Sequence, residues 1–502
     1  MINLLYIDLF CGAGGTSSGI NTACIDGEQC AKVIACVNHD ANAIASHTAN
    51  HPEAMHFTED IRTLELSPLV AHLRKCRAED PEALVVLWAS LECTNFSKAK
   101  GGQPRDADSR TLAEHLFRYI EALNPDYIQI ENVEEFMSWG DMDENGRPLS
   151  KDKGRHYLRW IRNVKKYGYV FEYKILNAAD FGAYTSRKRF FGVFAKKGLP
   201  IEWPEQTHCK KILKSTLFQE DLQQWKPVRD VLNLEIEGES IFNRKKPLSE
   251  NTLERIYAGL VKYVAGGKTA FLSKQYSGHP SSKNISLEGP AGTVTARDHH
   301  AFISVCYGNG YNQPISSPAP TVTTKDKLFK VSVKFVTSEY SNGQHTSIDT
   351  VCPAVLTNPK QKLVTCERFL MNPQFGSDGS SIDKPCFTLI ARMDKRPPYL
   401  IVTKYGDMAI RIFEDDSPMT VKIKEFMALY GIVDIKMRML MIDELMRIMG
   451  FPEDYVLIGT QAEQKKFIGN AVEVTIARKL CEALCIGLRE FDLYEYHSKK
   501  VA

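Results

Sequence analysis

Short runs dominated by apolar residues punctuate the first 200 positions, with room for a helix between most of them. They are NLLYIDLF from Asn3, AKVIACV from Ala31, ALVVLWAS from Ala83, YIQIENV from Tyr127 and FFGVFA from Phe190. A strand that is apolar on both sides is covered on both sides, so these runs predict strands buried in a central sheet. Residues 112–123 and 156–166 instead carry apolar positions at helical spacing. The alternation predicts an α/β fold, a Rossmann-like, mostly parallel sheet covered by helices. Ligands of such sheets bind beyond the carboxyl ends of the strands.

Past Pro200 the pattern changes. Polar, basic stretches, KKILK at 210–214 and NRKKP at 243–247, lead into a weak repeat: GPAGTVTARD from Gly289, SPAPTVTTKD from Ser317, CPAVLTNPK from Cys352, KPCFTLIARMD from Lys384 and SPMTVKIKE from Ser417. Each copy sets a Pro-led turn before a β-branched strand of alternating polarity, which predicts a lobe of repeated β-hairpins. After Ile432 helical spacing returns in ELMRIMG, and GNAVEVTIARKLCEAL predicts an amphipathic closing helix that returns to the first lobe. The expected division is an α/β domain at 1–200, a β-rich domain at 201–432, and a C-terminal segment at 433–502 rejoining the first.

Composition adds exclusions. At 502 residues the chain is too long for one core, and 43% hydrophobic with 25% charged residues is ordinary for a globular protein. No apolar run approaches the roughly 18 residues that span a bilayer, so no membrane role is expected. Lys and Arg total 63 against 61 Asp and Glu, so nucleic-acid binding would rest on local basic patches. The 13 cysteines show no C-x-x-C spacing, which suits a reducing cytoplasm, and no metal ligand is assigned.

Four segments carry candidate chemistry. IDLFCGAGGTSSGI, at 7–20, joins a strand to a helix start through a glycine-rich turn that lets backbone approach a ligand at Gly12, Gly14 and Gly15. ASLECTNFSKAKGG, at 89–102, puts Cys93 just past a buried strand, where a thiol can be a nucleophile or a small core residue. YIQIENVEEF puts Glu131 at the end of another strand, where it needs a polar partner or a raised pKa. TSRKRFFGVF brings Arg187 and Arg189 to alternate positions entering a strand, so both can face one side.

In this order, and together with DI at 60–61, MGFPEDY and GNAV, these segments resemble the DNA cytosine-5 methyltransferase family over 7–196 and roughly 438–485. The resemblance implies S-adenosylmethionine as cofactor and double-stranded DNA as substrate, with the repeat lobe where the family keeps its target-recognition region. It casts Cys93 as the nucleophile that adds to cytosine C6, which makes C5 able to take a methyl group. Glu131 would act at N3, Arg187 would orient the base near O2, and Arg189 would support the loop. The base must be rotated out of the duplex to reach them, and the 98–102 loop could close over it. The cofactor would meet Leu9, Phe10, Gly12, Gly14, Gly15, Asn38, Asp60, Ile61, Asn470 and Val472, with Phe10 stacking on adenine. Lys325, Lys327 and Lys330 would meet phosphates. A monomer suffices for this chemistry, and a cognate restriction endonuclease fits it as a partner.

Several positions depart from the family's pattern. Its Pro-Cys-Gln reads Glu92-Cys93-Thr94, its glutamine before the arginine pair is Thr185, and the acidic ribose ligand is Asn38. A carboxylate beside the thiol raises its pKa unless a cation compensates. Two other readings therefore stand beside DNA methylation: the same reaction on RNA, and a weakened enzyme serving as a nucleic-acid-binding regulator.

Overall fold

The computed structural model describes residues 2–91, 112–140, 154–211, 222–236 and 238–265, most of 268–307, and 410–491 apart from 411, 431 and 490. Between 308 and 409 it describes only the backbone of short strands.

Seven strands build the main sheet: β1 (Leu4–Leu9), β2 (Ala31–Asn38), β3 (Met55–Thr58), β4 (Leu84–Ser90), β5 (Tyr127–Asn132), β6 (Tyr169–Asn177) and β7 (Lys188–Lys196). Their order across the sheet is β3-β2-β1-β4-β5-β7-β6. Every pairing is parallel except those of β7, which runs against β5 and β6. All five apolar runs are therefore strands, and FFGVFA is the reversed one. Strands β3 and β6 escaped the pattern because they lie at the sheet's edges, where one side meets water and the residues turn polar.

The pleat sorts β1 into two cores. Leu5, Ile7 and Leu9 join one cluster with residues of helices α3 (Ser67–Glu79), α4 (Leu116–Leu123) and α5 (Arg155–Lys165). Leu4 and Tyr6 join the other, which holds Ile20 of α1 (Gly15–Asn21) and Ile476, Leu480 and Leu484 from the far end of the chain. Helix α2 (Ala41–Asn50) begins at the side chain of Asp40, which accepts from the backbone N–H groups of Asn42 and Ala43.

A second, antiparallel sheet forms from β8 (Glu239–Ser240), β9 (Ala270–Lys274), β10 (Asn284–Ile285), β11 (His300–Tyr307) and β12 (Ile432–Met439), in the order β8-β12-β11-β9-β10. Residue 432, the expected lobe boundary, thus opens a strand of this sheet. Helix α6 (Glu250–Gly259) packs beside it.

The last copy of the repeat is corrected: SPMTVKIKE is not a hairpin strand but the start of helix α7 (Pro418–Tyr430). Its local alternation is overruled by Ile423, Phe426 and Met427, three buried residues at three- and four-residue spacing, with Pro418 at the tolerated first position. In the first copy, residues 289–296 make one isolated bridge, Thr185 to Ala291, rather than a ladder. The copies at Pro318, Pro353 and Pro385 lie outside the described residues. Nearby, Val333–Ser338, Thr346–Ser347 and Gln361–Cys366 form one antiparallel sheet, and Arg368–Met371, Ser380–Ser381 and Tyr399–Val402 another.

Three helices finish the chain: α8 (Ile442–Ile448), α9 (Gln461–Asn470) and α10 (Val474–Arg489). The closing helix starts at Val474 rather than in the GNAV motif, because Ala471–Glu473 turn the chain between α9 and α10. Among the described residues, no helix is long and apolar enough to cross a membrane.

Candidate active site

The carboxyl ends of β1, β2, β4 and β5 carry Leu9, Asn38, Ser90 and Asn132 along one edge of the sheet. The turn after β1 is contorted: Phe10 has φ 61°, Gly12 54° and Gly14 97°. A left-handed phenylalanine is uncommon, and such strain persists where the surroundings hold a residue for a purpose. The glycines divide by role. A Cβ on Gly14 would strike Tyr455 Oη at 2.2 Å, and one on Gly15 the carbonyl of Val472 at 2.4 Å, so both serve close packing of the C-terminal segment. A Cβ on Gly12 would meet nothing within 4 Å, so backbone there borders open space.

Beneath the turn lies a buried polar ladder. Asp8 accepts from Ser17 Oγ (2.9 Å), His47 Nε2 lies 2.9 Å from the same hydroxyl, and His47 Nδ1 lies 2.9 Å from His56 Nε2. Burial pushes Asp8 up to about 7 and His51 down to about 4, and holds His47 well below its usual range. Tyr455, from MGFPEDY, donates to the carbonyl of Ala13. These groups brace the turn, and their scatter in sequence left no periodic signal.

Glu131 sits at the end of β5, opposite Ser90 of β4, three residues before Cys93. It is 5% exposed and pairs with Arg189, whose Nε lies 3.3 Å from its Oε1. Burial raises its pKa; the guanidinium groups of Arg189 and Arg187 pull the other way without cancelling the rise. Asn132 donates to the carbonyl of Leu91 (3.3 Å), fixing the chain just before the cysteine-bearing segment.

Arg187 has a different setting. Its Nη1 donates to the carbonyls of Val294 (3.0 Å) and Gly469 (3.2 Å), tying the strand entry to the second lobe and to α9 at once. Thr185 Oγ1 donates to Gly292 (3.0 Å), and backbone bonds link Ser186 to Ala291 and Ala291 to Tyr184. Arg189, expected to support the loop, is thus the arginine on Glu131, while Arg187 holds the 289–296 segment.

On the cofactor side, Asn38 Oδ1 accepts from the backbone of Asp40 (2.9 Å), and Asp60 is partly exposed with Arg62 on its carboxylate at 2.6 Å. Ile61 is buried, Val472 is buried against Gly15, and Asn470 is exposed at the end of α9. Cys93, its neighbours Glu92 and Thr94, the 98–102 loop and Lys325, Lys327 and Lys330 lie outside the described residues.

A family model described as C-5 cytosine-specific DNA methylase matches residues 4–485. The chain belongs to that family. Among its relatives, the Type II methyltransferase M.XorII of Xanthomonas oryzae is 28% identical over 211 residues, 41% of this chain and 44% of the relative. The Type II methyltransferase M1.HphI of Haemophilus parahaemolyticus is 27% identical over 211 residues, 42% of this chain and 50% of the relative. The chain therefore aligns with about half the length of these relatives. A solved methyltransferase from Entamoeba histolytica, EhMeth, aligns over 98% of this chain and 100% of its own, at 12% identity and a TM-score of 0.45.

Proposed function

We propose that this protein transfers a methyl group from S-adenosylmethionine to carbon 5 of a cytosine rotated out of duplex DNA. The observation that carries the reading is the pairing of family membership over residues 4–485 with a buried Glu131, its pKa raised by that burial, held by Arg189.

The first lobe suits an adenosine cofactor: the space bordered by Gly12, the strained Phe10 and the strand ends of β1 and β2 lies where such sheets take ligands. When bound, that cofactor supplies the electrophilic methyl group. Cys93 adds through its thiolate to C6, forming a C–S bond and moving electron density to C5 and toward N3. Glu131, whose pKa burial raises, shares a proton with N3 and offsets that charge. After C5 takes the methyl group, a base removes its proton and the C–S bond breaks, returning the thiolate. Arg189 keeps Glu131 oriented, and Arg187, tied through Nη1 to Val294 and Gly469, holds the second lobe against the catalytic sheet and orients the base near O2.

Sequence selection is proposed to lie in the 201–432 lobe, with a catalytic part at 1–200 completed by 433–502. A monomer in the cytoplasm, with or without a cognate restriction endonuclease, fits this arrangement.

The test is transfer of radiolabelled methyl from S-adenosylmethionine to duplex DNA of mixed sequence, with transfer RNA and Cys93→Ala alongside. Label on cytosine C5 of DNA that vanishes in the variant is expected. Label on the RNA alone would replace the substrate, and tight DNA binding with no label would make the protein a binding factor.

A further inference from the structure

The proposed reaction leaves one cluster of buried nucleophiles unused. Cys481 and Cys485 lie one turn apart on α10, so they share a face, and Cys30 leads into β2 beneath that face. All three are buried and free, and their sulfurs lie within 4.8 Å of one another. Sulfurs bound to one ion at about 2.3 Å stand roughly 4 Å apart, so closing the site needs a shift of under about 1 Å.

Tyr6 supplies an independent observation. It is 0% exposed, in the middle of β1, and its hydroxyl lies against the Cys481 sulfur without a well-formed hydrogen bond. A buried hydroxyl without a full hydrogen bond is destabilising, and a neutral thiol is a weak acceptor, whereas a metal-bound thiolate is a strong one. The second cysteine-containing cluster, Cys11, Cys36 and His47, offers no such vacancy, since His47 bonds Ser17 and His56.

We propose that Cys30, Cys481 and Cys485 form a three-sulfur site for a soft, thiolate-seeking metal ion of the zinc(II) or copper(I) kind, with Tyr6 donating to a bound sulfur. Each metal–sulfur bond replaces an S–H bond, and the protons leave to solvent. The bound ion fastens α10 to the strand beside β1, far from the methyl-transfer chemistry, so the site stands whether or not that chemistry does.

The test uses the full chain, reduced, in a Cys93→Ala background so that the proposed nucleophile is not counted. Equilibrium dialysis against zinc(II), and separately copper(I), with metal analysis is expected to give one ion per chain. X-ray absorption should show three sulfurs around it. Cys481→Ser/Cys485→Ser should lose the ion, Tyr6→Phe should weaken it about 10- to 100-fold, and the exposed-thiol control Cys24→Ser should leave it unchanged. Absence of a bound ion, a nitrogen/oxygen shell in the absorption spectrum, or full retention in the folded double-serine variant would overturn the site. The absorption measurement needs no variant at these cysteines, so it decides even if the double variant misfolds.

Discussion

Replacing Gly19 by alanine sets two effects against each other. Inside a helix, alanine is favoured over glycine by about 0.5–1 kcal/mol, so α1 on its own gains. The added Cβ, however, would lie 2.6 Å from the carbonyl oxygen of Val474, 2.8 Å from Ala477 Cβ and 2.8 Å from the Arg478 nitrogen. Two of those three atoms are backbone of α10, which cannot rotate aside. Overpacking costs about 1–3 kcal/mol, and contacts with backbone belong at its upper end, so the net loss is about 2 kcal/mol. For a lobe of ~200 residues that lowers the melting temperature by about 4–8 °C. Gly289→Ala, where a Cβ meets nothing within 4 Å, is the matched control and should be near neutral. Thermal unfolding followed by circular dichroism measures both. A Gly19→Ala protein as stable as the parent, or more so, would refute the claim that α1 and α10 touch through this glycine.

Glu473 is fully buried and burial raises it from 4.5 to about 7. The native state thus keeps a proton that the unfolded chain releases between about pH 4.5 and 7, and this contribution to stability is present below that window and lost as pH rises through it. Glu473→Gln keeps an acceptor for the Ile476 N–H and should become more stable relative to the parent by as much as about 3 kcal/mol between pH 4.5 and 7.5, read by urea denaturation at each pH. An unchanging difference would show that Glu473 does not hold its proton. Glu131→Gln should slow methyl transfer about 10²–10⁴-fold. Because the Arg189 guanidinium lowers the Glu131 pKa, Arg189→Met should move the alkaline fall in wild-type activity to higher pH, and a fall at the same pH would remove Glu131 as the titrating group.

The sheet was legible because its central strands are apolar on both faces, as in LLYIDL and LVVLWAS. Motif order located Glu131 and the Phe10–Gly15 turn for the same local reason. What could not be read were pairings across hundreds of residues. No spacing announces that Gly15 serves Val472, that Arg187 reaches Val294 and Gly469, or that Cys30 meets Cys481 and Cys485. Helix α7 was misread because alternation over 417–425 is a shorter signal than the helical stripe that extends it to Tyr430.

The covering of the sheet by α10 has a consequence for synthesis. One face of the sheet can pack from residues 5–194 alone, but the other waits for Ile476, Leu480 and Leu484. At about 5–20 residues per second, the ribosome needs on the order of 15–55 s to travel from Leu199 to Ile476. During that interval Leu4, Tyr6, Val86 and Trp88 have no final cover, which makes the nascent chain a natural client for chaperones. A messenger cut short before α10 would leave that apolar face without the cover of Ile476, Leu480 and Leu484.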